Sequence, residues 1–341
     1  MTTGVLTIGI GVTDPASPMR TNSMRTNNTV VAAIIGLTAA MGTWSLRAQA
    51  PRPKTQAPGF YRMMVGDFEV TALNDGVVPY PTKTVLPTAT AEQIEKGLFE
   101  AGLTDPVDMS YNAFLVNTGT RLVLIDVGTG GKLNDSPGFR GAGRLLANLR
   151  AAGYRPEQVD EIYITHLGPD HIGGLTEGSK PTFPNAKLRA AKAEVAVFLD
   201  DRRLQRVESI WRPFRAGLFG PYIKAGRFES FDEDIALVPG IRALATPGHT
   251  PGHTSYLVES KGQTLLVLGD LVHAGAIQFT YPSLPTAFDA DQKAGSAQRE
   301  RIFRLAAEKV AGAHLSFPGI GLIRAEQGGY RWAQANYTIP Q

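Results

Sequence analysis

Three short segments of the chain carry side chains able to bind a divalent metal. Residues 166–171 read His-Leu-Gly-Pro-Asp-His, so His166, Asp170 and His171 crowd one loop behind the apolar run Glu161–Thr165. Residues 246–253 read Thr-Pro-Gly-His-Thr-Pro-Gly-His, again after an apolar run. The Pro-Gly pairs force tight turns that aim His249 back toward a neighbouring strand end. Leu268-Gly269-Asp270 then ends another apolar run in a carboxylate. Imidazole and carboxylate together suit a hard or borderline divalent ion. A carboxylate shared by two ions also neutralises charge and fixes their separation. Singly, each segment has an ordinary reading as a surface loop, a turn or a strand-end acceptor. Their conjunction, in this order, points to a metal centre. With no cysteine in the chain, any metal must be held by histidine and carboxylate.

The elements that must position these groups read as a layered α/β protein. Phe68–Leu73 alternates apolar and polar side chains as a half-buried strand does, and Asn74-Asp75-Gly76 predicts a turn after it. Ala91–Ala101 has helical spacing, as does Gly141–Gly153, where Leu145, Leu146 and Leu149 share one face and Gly153 is a natural stop. Ala113–Val116 and Leu122–Ile125 predict a hairpin around Asn117–Thr120, followed by the glycine-rich Asp126–Gly131. Ala236–Ala245, Thr254–Val258 and Leu265–Leu268 predict further strands, and Gln298–Val310 an amphipathic helix. Strands in runs with helices between them fit a layered protein better than a simple βαβ repeat.

On these residues the chain resembles the metallo-β-lactamase fold. His166-Leu-Gly-Pro-Asp170-His171 is similar to the family's His-x-His-x-Asp-His motif, with Gly168 at the second histidine. Thr246–His253 is similar to its next motif, and Asp270 stands where a bridging aspartate occurs. The opening segment Pro58–Phe68 and the closing segment Ala313–Gly321 resemble those of the methyl parathion hydrolases, where a histidine follows Pro-Gly-x-Gly. Here that next position is Leu322. The resemblance covers nearly all of the chain after residue 50. It implies a four-layer αββα sandwich and metal ligands His166, Asp170, His171, His249 and Asp270. It also implies two gaps, at Gly168 and Leu322, one in each half of a two-metal centre. Restoring histidine at both is expected to raise metal occupancy. His253, His273 and His314 are expected to orient their neighbours by hydrogen bonding rather than to bind metal.

The cofactor implied is zinc, one ion or two, with manganese or cobalt as alternatives. Such an ion lowers the pKa of a bound water toward about 7 and supplies hydroxide as the nucleophile. Asp170, the catalytic candidate, would orient it. The expected substrates are neutral aryl esters, lactones or organophosphate triesters. Phe198, Trp211, Phe214, Phe219, Phe279 and Tyr281 lie between the metal motifs. Core packing accounts for most of them, and any that line a cleft would favour an aryl or apolar group. Two alternatives stay open: a metal-depleted, weakly active or non-catalytic relative that binds a small molecule, and a single-metal hydrolytic dehalogenase.

The amino end reads as a separate segment. Residues 29–42 form an apolar run preceded by Arg20 and Arg25 and followed by Ala48-Gln49-Ala50, the pattern of a secretory signal cleaved after Ala50. The run is shorter than the ~20 residues a membrane span needs. Residues 1–50 are therefore expected to be an extension and cleavable signal, with the start at Met1, Met19 or Met24 left open. Residues 51–341 are expected to form one hydrolase domain in the periplasm or outside the cell. Losing Arg20, Arg25 and Arg47 against Asp14 takes the net charge from +3 to +1. With no long basic run, nucleic acid is not an expected partner. A homodimer is left open.

Overall fold

The computed structural model describes residues 52–133, 136–198, 212–305, 309–326 and 328–338. The signal segment, the cleavage site, Trp211 and the side chain of Phe198 lie outside the described residues. The chain divides into Met1–Thr55 and Gln56–Gln341, and the described strands and helices all belong to the second unit. No helix among the described residues is long and apolar enough to cross a membrane.

The first sheet begins as a meander of β1 (Phe60–Val65), β2 (Phe68–Tyr80), β3 (Val107–Asn117) and β4 (Leu122–Ile125), paired antiparallel. It then continues in parallel through β5 (Glu161–Tyr163). A two-stranded ribbon, β6 (Thr176–Glu177) and β7 (Lys180–Pro181), stands apart. The sheet is completed by β8 (Lys187–Ala191) and β9 (Phe228–Phe231). The second sheet runs β10 (Ala236–Val238), β11 (Ile241–Ala245), β12 (Thr254–Ser260), β13 (Gln263–Val267), β14 (Lys309–Ala311), β15 (Ile320–Glu326) and β16 (Gly329–Gln334).

The helices longer than a single turn among the described residues are α1 (Ala91–Glu100), α2 (Leu145–Ala151), α3 (Lys192–Phe198), α4 (Arg212–Lys224) and α5 (Gln292–Leu305). The period-two side-chain pattern of a strand explains the layering. Phe114 and Val116 of β3 turn toward Tyr256, Val258, Leu265 and Val267 of the second sheet. Ala113 and Leu115, their chain neighbours, turn the other way and pack on Leu145 and Leu149 of α2 and Leu218 and Phe219 of α4. On the far face of the second sheet, Leu266 and Val310 pack on Ile302 and Phe303 of α5. Helix, sheet, sheet and helix thus form the expected αββα sandwich. Of the aromatic residues, Phe219 and Phe279 are buried core, and Phe279 stacks on Trp332 with ring centroids 5.0 Å apart. Phe214 and Tyr281 pack against core clusters, as the packing reading expected.

Two expectations are corrected. Asn74-Asp75-Gly76 is no turn: β2 runs on to Tyr80, and its register against β3 slips between Asn74 and Gly76. Asp75 is the extra residue of a β-bulge, which turns its carboxylate inward instead of reversing the chain. The helix expected over Gln298–Val310 is shifted toward the amino end. It spans Gln292–Leu305, and Val310 lies in β14, paired with Leu266 and Gly321. The apolar run around Val310 suits the fully buried centre of a sheet as well as a helix face, and periodicity cannot separate the two.

Candidate metal centre

All six histidines of the chain converge on Asp270. Each is buried. They come from loops at strand ends, where backbone freed from the ladders can turn side chains inward. β5 leads to His166 and the single helical turn Pro169–Ile172 that carries Asp170 and His171. β11 leads to the loop of His249 and His253, β13 to Asp270 and His273, and β14 to His314. The glycine loop after β4 packs tightly beneath them. A Cβ at Gly173 or Gly174 would collide with the carbonyls of Thr129 and Val127.

The contacts have the spacing of atoms that could share a metal ion. His171 Nε2 lies 3.1 Å from Asp270 Oδ1 and 3.4 Å from Asp170 Oδ2. His314 Nε2 lies 3.1 Å from Asp270 Oδ2 and 3.4 Å from Asp170 Oδ2. His249 Nε2 is 3.3 Å from Asp270 Oδ2 and 3.2 Å from His166 Nε2. His166 Nε2 is 3.7 Å from Asp270 Oδ2. Donors at 2.0–2.1 Å around a tetrahedral ion stand about 3.3–3.4 Å from one another. These separations are close to those edges.

The hydrogen bonds support the same fit. His171 Nδ1–H donates to Asp126 Oδ2 at 2.8 Å, which leaves the Nε2 of a neutral ring as a lone pair. That lone pair faces carboxylate oxygens, and both His171 Nε2 and Asp270 Oδ1 are buried with no hydrogen-bond partner. His314 Nδ1–H donates to the Ser110 carbonyl at 3.1 Å, again directing Nε2 at two carboxylates. Acceptor facing acceptor needs a cation between them. The residues present fit a divalent metal.

Electrostatics set the reverse state, in which protons take that cation's place. Burial disfavours charge on His171, but Asp270, Asp170 and Asp126 outweigh it and hold its pKa well above the usual histidine value. The His314 pKa is raised against burial by Asp270 and Asp170. Burial would raise the Asp270 pKa, yet His171, His314, His166 and His273 hold it well below the carboxylate range. Burial pushes His253 down to about 3 and His273 down to about 4. Burial, with His171 beside it, also lowers His166.

The structure brings His166, Asp170, His171, His249 and Asp270 together as expected, and it corrects the periphery. His253 keeps an orienting position: its Nε2 accepts from the Asp270 backbone N–H at 2.9 Å and its Nδ1 meets the Thr246 hydroxyl at 2.7 Å. His273 and His314 do more, each turning Nε2 onto the Asp270 carboxylate. Leu322, expected to mark a lost ligand, lies in β15 between Lys309 and Ala333. It lines a separate cavity with Tyr61, Met63 and Met64. His314 stands in the cluster instead, because the Phe317-Pro318 loop carries the chain from the cluster into β15 before position 322 is reached. Position 168 borders the cluster: a Cβ on Gly168 would collide with His166 Nε2, so any side chain there must displace that ring. Leu322→His is therefore expected to leave metal content and activity as in the parent, measured by elemental analysis and assay. A rise in bound metal would return position 322 to the site.

Several supporting residues gave little signal in the sequence. Asp126, left-handed at φ 60°, accepts from the Thr165 backbone N–H at 2.9 Å and hydroxyl at 2.8 Å as well as from His171. Glu194 of α3 accepts from Leu167 N–H, the Thr250 hydroxyl and Gly252 N–H, tying the His166 loop to the His249 loop. Asp289 lies 3.3 Å from His249 Nδ1, and the buried Arg299 bonds the carbonyls of Leu271, Pro282 and Leu284 around it. Only Asp126, a carboxylate closing an apolar strand before glycines, could have been suspected beforehand. Asp126→Ala should weaken metal binding by about 10–100-fold, the usual effect of freeing a ligand histidine from its carboxylate. Competition with a chromophoric chelator measures this, and unchanged affinity would remove Asp126 from that role.

Comparison with known proteins bears on the same segment. The pattern of the Metallo-beta-lactamase superfamily matches residues 107–314. An N-acyl homoserine lactonase of Bacillus cereus is 30% identical over 125 residues, 37% of this chain and 43% of the lactonase. The match thus spans less than half of that relative. A protein of Mycobacterium tuberculosis described as a probable metallo-hydrolase is 27% identical over 223 residues, 56% of this chain and 66% of its own. Among solved structures, the beta-lactamase-superfamily hydrolase AbOPH matches with a TM-score of 0.75 and 32% identity, covering 84% of this chain and 100% of that one. The dizinc quorum-quenching lactonase AidC, solved with a product bound, matches at 0.73 over 82% and 99% of the two chains. At 24% identity it shares the fold.

Proposed function

The chain belongs to the metallo-beta-lactamase superfamily and is a metallohydrolase; from that premise we propose that it hydrolyses neutral lactones, aryl esters or organophosphate triesters. The observation that carries the reading is the set of buried imidazole and carboxylate atoms around Asp270, spaced as ligand atoms are. His166 and His249 with Asp270 would hold one zinc ion, and Asp170, His171 and His314 with Asp270 a second. A divalent ion bound there supplies an acidified water and polarises the oxygen under attack. The chain's residues do the rest. Asp126 and the Ser110 carbonyl fix the tautomers of His171 and His314. Asp170, its carboxylate more open to solvent than that of Asp270, takes or orients the proton of the attacking water.

A cavity of about 490 Å³ lies at Leu322 and another of about 790 Å³ reaches His273 and His314. The second, lined by Leu98, Ile277 and Trp332 as well as by Lys96, Glu100 and Arg331, supports a small substrate with an apolar part. The lactonase relatives favour the lactone among the three classes. Against the metal-depleted alternative stands His314, which leaves Gly168 as the single gap. The test is turnover of a lactone, an aryl ester and a phosphotriester by residues 51–341 loaded with zinc, manganese or cobalt. Failure on all three sinks the proposal. Export follows as a second proposal, supported by the signal pattern before Ala50. Sequencing the amino end of the exported protein tests it, and a terminus other than residue 51 overturns the cleavage site.

A further inference from the structure

We propose that His273 is itself a metal ligand, seated beside His249 and Asp270, and supplies the imidazole that Gly168 cannot. This rests on the reading of the cluster as a metal centre. In the division proposed above, glycine at 168 leaves the His166–His249 half with two imidazoles and the shared carboxylate, whereas the other half has His171, His314 and Asp170. His273 stands between the halves, its ring centroid 5.2 Å from that of His249 and 4.9 Å from that of His314. Its Nε2 is 3.2 Å from Asp270 Oδ2, close to the 3.3 Å between His249 Nε2 and that same oxygen. The ligand atoms of His249, Asp270 and His273 all lie within 4.8 Å of one another, and all three residues are buried. Both distances are near the edge of about 3.3–3.4 Å expected around a tetrahedral ion.

The ring is held for this task from outside the cluster. Gln278 Oε1 accepts from the backbone N–H groups of His273 and Ala274 at 2.8 and 3.1 Å, fixing the turn that carries the imidazole. The ring stacks on His314 with centroids 4.9 Å apart and packs 5.2 Å from Phe288. Its Nδ1 has no hydrogen-bond partner, so no carboxylate or carbonyl draws the ring away from Asp270. An orienting role alone would resemble that of His253, whose two nitrogens are both engaged. His273 has one nitrogen on the shared carboxylate and none on the scaffold.

The test uses cobalt and zinc binding by the folded protein in two variants, His273→Ala and His273→Gln. The glutamine amide can still donate to Asp270, so it preserves an orienting hydrogen bond while removing the imidazole. We expect both variants to lose affinity for one ion by more than about 10-fold relative to the parent. We also expect the visible absorption of the cobalt form to change in both. Circular dichroism of the metal-free proteins checks that each is folded. Recovery of parental affinity and spectrum in His273→Gln, or no change in either variant, overturns the proposal and leaves the hydrolase reading standing. A parent that binds no metal overturns both.

Discussion

Asp270→Ala is expected to strip metal from the protein and to lower hydrolysis by at least about 100-fold. Losing a group that only orients a metal ligand already costs about 10–100-fold. Asp270 does more: its two carboxylate oxygens lie within 3.1–3.3 Å of Nε2 atoms on His171, His249, His273 and His314. Without it, the two halves of the centre share no anion, and the imidazoles must accommodate ions without its charge. Asp270→Asn keeps the volume and the backbone bond to His253 but removes the charge, so it should fail in the same direction. Elemental analysis of protein purified without chelator, beside kcat/KM for a lactone, reads both effects. Retention of the parental metal content in Asp270→Ala would refute the shared-carboxylate assignment.

Asp75→Ala is expected to produce the largest loss of stability, about 3–5 kcal/mol. The carboxylate is fully buried and accepts four hydrogen bonds: from Thr129 N–H at 2.9 Å and its hydroxyl at 2.7 Å, Gly143 N–H at 3.1 Å and Leu145 N–H at 2.9 Å. Alanine would leave the buried N–H groups of Thr129 and Leu145 unpaired, each costing about 1–3 kcal/mol before relaxation, and would free the half-buried N–H of Gly143 as well. Two of them start α2 and one lies in the glycine loop beneath His171, so the damage would reach the metal loops. A fall in Tm of roughly 10 °C is expected for a domain of this size. A shift under about 2 °C would mean that water replaces the carboxylate.

Asp75 also marks where local reading of the sequence fails. Asn-Asp-Gly has the composition of a turn, and nothing in the segment tells a reversal from a bulge. The distinction was made by β3, which pairs with β2 on both sides of Asp75 and leaves only that residue out of register. The hairpin of β3 and β4 was legible, because two apolar runs with a four-residue polar turn have few other solutions. Val310 was not, because a short apolar run fits helix and buried strand equally until a partner strand is known.

By itself the sequence determined the layered α/β class, the absence of thiolate chemistry, and the three segments that bring His166, Asp170, His171, His249 and Asp270 together. These follow from residue type and short-range spacing, which survive without knowledge of long-range pairing. Only the tertiary structure decided the rest of the centre. His314 and His273 reach Asp270 through loop paths that spacing along the chain does not encode, and Leu322 is carried away from it by β15. The supports Asp126, Glu194 and Asp289 bond groups of the histidine loops 27 to 58 residues away in sequence. Of the two positions read from the chain as gaps, Gly168 keeps its place beside His166. The other disappears once the fold shows which histidine stands there.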